Sequence, residues 1–229
     1  MLSRKKHGER KDVMLDSAMC KIMEMNKEIK GNNVKLDDLP KDKTVIIVVD
    51  KVRGFVYEGL LSSPRIVEII DGIVDLNKRA EGYKKIFFLD QHEENSPELK
   101  TYGPHALRGS SEDELIPELV PLSEDANVSL IHKNSTNGFH APGFKIWLKE
   151  NEDLIENYIV TGCEADICVA HFATTLKTYF NENNLNRRIV VPINGVETYD
   201  YGTHDGDIMK VISLWEMKLN GIEIADSIK

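Results

Sequence analysis

The chain is poor in the features that mark secreted, membrane or nucleic-acid-binding proteins. Its 229 residues hold three cysteines: Cys20, Cys163 and Cys168. An odd and sparse set argues against a disulfide framework and for free thiols in a reducing compartment, and Cys163 with Cys168 cannot make a zinc ribbon. No apolar run approaches the ~20 residues needed to cross a bilayer. No apolar signal segment follows the basic start SRKKHGERK, so a cytoplasmic location is expected. Positive charge is in deficit, with 29 Lys and Arg against 38 Asp and Glu and a formal net charge of -9. That excludes the concentrated basic surface on which phosphate backbones dock. No repeat or low-complexity tract is visible. What remains is a chain long enough to bury a core without disulfides or a structural metal, so any metal it holds would serve chemistry.

The apolar residues are arranged in short runs. TVIIVVD (Thr44–Asp50) reads as a strand buried on both faces and KKIFFLD (Lys84–Asp90) as a second buried strand, with NVSLIHK (Asn127–Lys133), NYIVTG (Asn157–Gly162), RRIVVPI and GIEIAD as four further strands. Helical spacing separates them: Ile66 to Asn77 after Ser63-Pro64, a short helix near Glu112–Leu119, Cys168 to about Phe180, and Asp207–Leu219. Six strands alternating with helices predict an α/β fold with a six-stranded, mostly parallel sheet covered on both faces, a Rossmann-like three-layer architecture. Leu15, Met19, Ile22 and Ile29 predict a helix over Val13–Lys30, followed by the linker NNVKLDDLPKDK. The expected division is 1–42 for an N-terminal helical extension and linker, and 43–229 for the main domain.

In open sheets of this kind ligands bind beyond the carboxyl ends of the strands. Asp50, Asp90, Lys133 and the segment leading to Cys168 all stand there. FLDQHEENSPELKTYGPH adds His92, Glu98 and His105 to Asp90 as candidate ligands of one divalent ion. Mixed nitrogen and oxygen donors suit zinc, iron or manganese. Glu93 reads as part of a solvated acidic face. A cysteine at the start of a helix meets the positive end of the dipole and free N–H groups, which favour thiolate and can stabilise an oxyanion. The alternative for Cys168 is a small buried hydrophobe.

VTGCEADICV resembles the nucleophile segment of the isochorismatase-like cysteine hydrolases, roughly T-G-x-x-T-D-x-C-V. VIIVVDKVRGFVYEGLL resembles their opening strand, with Asp50 and Phe55 five apart, and IHKNSTNGF resembles their lysine segment. Asp90-Gln91-His92, Glu98 and Pro104-His105 resemble the metal-binding nicotinamidases of that superfamily. The resemblance runs from about Thr44 to the C-terminus. It implies a catalytic Asp50, Lys133 and Cys168, and an oxyanion hole from the backbone N–H groups of Glu164 and Cys168. It further implies a cis peptide at Cys163-Glu164, and metal ligation by Asp90, His92, Glu98 and His105, with zinc first and iron or manganese as alternatives. Phe55 and Tyr102 would flank a pyridine ring. The implied reaction is hydrolysis of nicotinamide to nicotinate and ammonia through a thioester, a step of pyridine nucleotide salvage leading to NAD, by a homo-oligomer acting on a small amide.

Two departures stand out. KVRG (Lys51–Gly54) replaces the usual Q-N-D-like run, and Ala165 replaces the usual Thr. Arg53 beside the site would then alter substrate choice. A related amidohydrolase acting on another small amide or carbamoyl compound, and a non-catalytic metabolite-binding protein on the same fold, are the alternatives. His132, His140, His171 and His204 read as packing or surface residues, Trp147 and Trp215 as core, and ETYDYGTHDGD as a loop of turn residues.

Overall fold

In the computed structural model, which describes residues 17–229, the six apolar runs form one parallel sheet. Its strands are β1 (Thr44–Val49), β2 (Lys84–Asp90), β3 (Val128–Lys133), β4 (Asn157–Gly162), β5 (Arg188–Pro192) and β6 (Glu223–Ala225). They lie side by side in the order β3-β2-β1-β4-β5-β6, all parallel. The central strand β1 is buried along its whole length. Successive side chains of a strand face opposite sides, and both sides of β1 are covered. Val45, Ile47 and Val49 pack with Phe144, Trp147 and Phe172. Val48 packs with Ile66, Ile70 and Ile73, and Ile46 with Leu76 and Ala80. Burying each large aliphatic side chain is worth about 1.5–3 kcal/mol, so the continuous β-branched run fixes this strand at the centre of the molecule.

The longer helices are α1 (residues 17–28), α2 (Ile70–Arg79), α3 (Pro142–Asn151), α4 (Ala170–Glu182) and α5 (Gly206–Leu219). Of the helix expected over Val13–Lys30, Val13 and Leu15 lie outside the described residues. The helical run expected from Ser63-Pro64 is two pieces: a turn at Pro64–Val67, closed by Glu68 N–H on Arg65 O, and then α2. No helix spans Glu112–Leu119. Ser111–Asp113 is a 3-10 turn, and the next residues run extended beside the loop after β1, with Arg53 N–H on Glu114 O and Ile116 N–H on Lys51 O. Pro117 explains the difference, since it disfavours helical geometry at the residue before it.

The expected linker is packed. Val34, Leu36 and Leu39 are buried, Tyr83 Oη donates to Leu36 O and Leu39 O, and Asn33–Val34 pairs in parallel with Ser227–Ile228. Glu28 at the end of α1 accepts from Trp215 Nε1 at 3.0 Å. No helix among the described residues is long and apolar enough to cross a membrane.

Candidate active site

Four adjacent strands deliver the site. In the sheet order the chain leaves β3 at Lys133, β2 at Asp90, β1 just before Asp50 and β4 at Gly162. Register does the alignment: Asp90 lies opposite Lys133, and Val49 opposite Gly162. Two backbone features let β1 and β4 end this closely. Gly162 has φ +119°, and a Cβ there would sit 2.1 Å from Val49 O, so only glycine fits. Asp50 adopts φ +53°, a left-handed conformation that Asp tolerates better than most residues. It is held there by its N–H on Phe88 O and by Cys163 Sγ donating to its carbonyl at 3.1 Å.

Lys133 is the hub. Its buried ammonium donates to Asp90 Oδ1 at 2.6 Å, lies 2.8 Å from Asp50 Oδ2 off the usual hydrogen-bond directions, and stands 3.9 Å from Cys168 Sγ. Burial alone would discharge these groups. For Asp90 it is outweighed by Lys133 and by hydrogen bonds from His105 and His92, so that carboxyl stays well below its ordinary range. For Asp50 burial prevails over Lys133 and pushes the carboxyl up to about 7. Lys133 is raised well above its ordinary value, because Asp50 and Asp90 outweigh its desolvation.

Cys168 stands in the first turn of a helix, as expected, but that turn, Ala165–Val169, is a wide π-helical one that starts three residues earlier and runs directly into α4. Burial pushes its thiol well above the ordinary value despite Lys133. The resting sulfur is therefore a thiol that needs a base, and Asp50 stands on the same Lys133 ammonium as the sulfur does. Ile167 and Val169 both donate to Glu164 O and Ala165 donates to Glu197 O. The N–H of Glu164 makes no such bond, and the Cys163-Glu164 peptide is cis.

Beside this trio, one donor atom from each of Asp90, His92 and His105 lies within 4.8 Å of the others. The far nitrogens are tied down: His92 Nδ1 lies 3.0 Å from Asn134 Oδ1 and His105 Nδ1 donates to Gly103 O at 2.8 Å. Both Nε2 atoms are thereby turned toward Asp90 Oδ2, at 3.0 and 3.3 Å. Outer partners of this kind orient metal-ligating histidines, so the donor set fits a divalent ion. Glu98 stands at the margin, with Oε1 3.8 Å from His92 Nε2 and Oε2 accepting from Thr136 N–H. The rings of Phe55 and Tyr102 both approach His105, at 5.9 and 6.3 Å between centroids.

Arg53 does not enter the site, since its guanidinium is paired with Glu58 at 2.8 Å. Several residues had no sequence signal. Asn134 merely follows Lys133. Thr198 and His204 hold Asp166, at 2.5 and 2.8 Å, and Tyr199 stacks on His204 at 4.1 Å. They come from the expected turn-rich loop, which Arg65 clamps through Thr198 O, Glu197 and Asp207. His171 is exposed on Thr136, and Trp147 is in the core.

The sequence and the fold are similar to those of known proteins. Residues 44–213 match the isochorismatase domain. The chain is 26% identical over 219 residues to nicotinamidase 1 of Arabidopsis thaliana, covering 83% of this chain and 88% of that one. Its fold is similar to that of the pyrazinamidase/nicotinamidase of Streptococcus mutans, with a TM-score of 0.67 and 23% identity over 79% of this chain and 99% of that one. It is also similar to the pyrazinamidase of Pyrococcus horikoshii in complex with zinc, with a TM-score of 0.63 and 20% identity over 80% and 98% of the two chains.

Proposed function

The chain belongs to the isochorismatase family, and on that premise we propose that it is a metal-dependent cysteine amidohydrolase converting nicotinamide to nicotinate and ammonia. The observation that carries this reading is the position of Lys133. One buried ammonium touches Asp50 and Asp90 and stands beside Cys168, which locks the thiol and its base to the cluster of metal-ligand type. A substrate held at the cluster therefore presents its carboxamide to the sulfur.

Asp50 takes the thiol proton of Cys168, and Sγ attacks the carboxamide carbon. The N–H groups of Glu164 and Cys168 receive the oxyanion. Asp50 returns its proton to the nitrogen, the C–N bond breaks, and ammonia leaves a nicotinoyl thioester on Cys168. Water then gives a proton to Asp50 and adds to the thioester carbon. Collapse releases nicotinate, and the Asp50 proton restores the thiol. Lys133 keeps Asp50 oriented and offsets the negative charge that passes between carboxylate and sulfur. Asp90, His92 and His105, with Glu98 alongside, would hold the ion, zinc being the first choice, which when bound supplies a Lewis acid for the pyridine nitrogen. Phe55 and Tyr102 would line the ring.

Ammonia release from nicotinamide, measured with metal analysis of the same sample, tests the reading. Turnover that follows metal content is expected. A metal-loaded protein inert toward nicotinamide, or much faster on another small amide or a carbamoyl compound, would overturn the substrate assignment.

A further inference from the structure

The loop after β1 carries Phe55 and the loop after β2 carries His105, and their rings stand 5.9 Å apart. One carboxylate lies against both loops, that of Glu112 in the 3-10 turn Ser111–Asp113. On one side Glu112 Oε2 accepts from Ala106 N–H at 2.9 Å, one residue past His105. Ala106 is buried and adopts φ +41°, a conformation that a residue with a Cβ keeps only where its neighbours over-determine it. Its carbonyl accepts from His92 N–H, and Glu112 holds its N–H. On the other side the Glu112 side chain fills space that two glycines of the first loop leave open. A Cβ at Gly59 would fall 2.6 Å from the Glu112 carboxylate, and one at Gly54, next to Phe55, would fall 2.9 Å from Glu112 Cβ. The turn is anchored without that side chain: Asp113 Oδ2 accepts from Gln91 Nε2 and Gly109 N–H, both at 2.8 Å, and Arg53 N–H donates to Glu114 O.

We propose that Glu112 is a positioning residue, whose carboxylate sets the His105 loop against the Phe55 loop. This rests on the amidohydrolase reading, in which His105 holds the ion and Phe55 lines the substrate ring. Glu112 makes its bond to backbone, away from the ligand nitrogens and from the trio. Its effect therefore falls on zinc affinity and on KM, and kcat of the zinc-loaded enzyme stays nearly unchanged.

The test compares Glu112→Ala and Glu112→Gln with the wild type in the full-length protein. One readout is zinc affinity by competition with a chelator, which needs no substrate. The other is kcat and KM for ammonia release from nicotinamide with zinc in excess. Glu112→Ala is expected to weaken zinc binding by about tenfold, the worth of one hydrogen bond acting on a ligand from outside, and to raise KM severalfold with kcat nearly unchanged. Glu112→Gln keeps an amide oxygen that can accept from Ala106 N–H, and is expected to restore most of both. Wild-type zinc affinity and KM in Glu112→Ala, equal losses in the two variants, or a lowered Tm with both constants unchanged would overturn the proposal. If Glu112→Ala gives no folded protein, Glu112→Asp serves, since it keeps the charge and withdraws the oxygen by one methylene. A loss of the same kind is expected, and wild-type constants would overturn the proposal. A wild-type protein that binds zinc yet is inert toward nicotinamide would instead remove the substrate reading, while the chelator competition still decides the role of Glu112.

Discussion

The two ends of the sheet treat charge in opposite ways. At the amino ends, ionic groups pair mostly at the surface, Lys43 with Glu156 at 2.7 Å, both nearly half exposed, and Arg188 with Glu223 at 2.7 Å, while Lys85 is buried against a partly exposed Asp125. At the carboxyl ends, Asp50, Lys51, Asp90, Lys133 and Glu164 are all buried. Water solvates the first set, so its geometry matters little. The second set can stay charged only where a neighbour compensates, so its geometry is fixed by electrostatics, and removing one member leaves an uncompensated charge. The same strands therefore carry an energetically idle edge and a pre-organised one, and the candidate chemistry lies at the second.

The largest effect that would sharpen this contrast is catalytic. Asp50→Asn is expected to cost several orders of magnitude in kcat, because it removes both proton acceptor and donor. Combining it with Cys168→Ala should cost little more than Cys168→Ala alone, which kinetics on the purified variants would show. Next comes the backbone on which the buried edge is built. Gly162→Ala forces a Cβ against Val49 O and a side chain into φ +119°, and should lower stability by more than about 2 kcal/mol in urea titrations.

A smaller effect falls on the metal cluster. Asn134→Ala frees the outer nitrogen of His92 and should weaken metal affinity by roughly 10-fold to 100-fold, read by competition with a chelator, without changing the ligands themselves. The pH profile follows from Asp50. Burial raises its carboxyl to about 7, and only the ionised form takes the thiol proton. Activity as kcat/KM should therefore be lost as pH falls through about 7 and recovered as it rises. The smallest effect belongs to the amino edge: Arg188→Ala should change stability by less than about 1 kcal/mol. A large loss there would break the contrast.

Much of this was legible in the sequence. Each of the six strands is a short β-branched or apolar run, and most of them end on a residue that chemistry could use. The trio and the histidines occupy motif positions, so a resemblance could assign them and the structure then place them together. What was not legible depended on contacts far apart in the chain. Nothing in KVRG says that Lys51 is fully buried. Thr198 and His204 reach Asp166 from a loop that Arg65, far away in the chain, also holds. The absence of a helix over Glu112–Leu119 was readable from Pro117, whose effect on the residue before it is local. The state of the Cys168 thiol was not, because helix position favours thiolate while burial, which sequence does not give, favours thiol.

The central claim is that Cys168 carries the acyl group of the amide during turnover. It is tested most directly by quenching the metal-loaded enzyme in acid during turnover of nicotinamide and weighing the peptide that contains Cys168. The expected result is a nicotinoyl adduct on that peptide, lost on hydroxylamine treatment and absent from Cys168→Ala, which turns over no nicotinamide. Undiminished ammonia release by Cys168→Ala, with no adduct on the wild-type peptide, would contradict it.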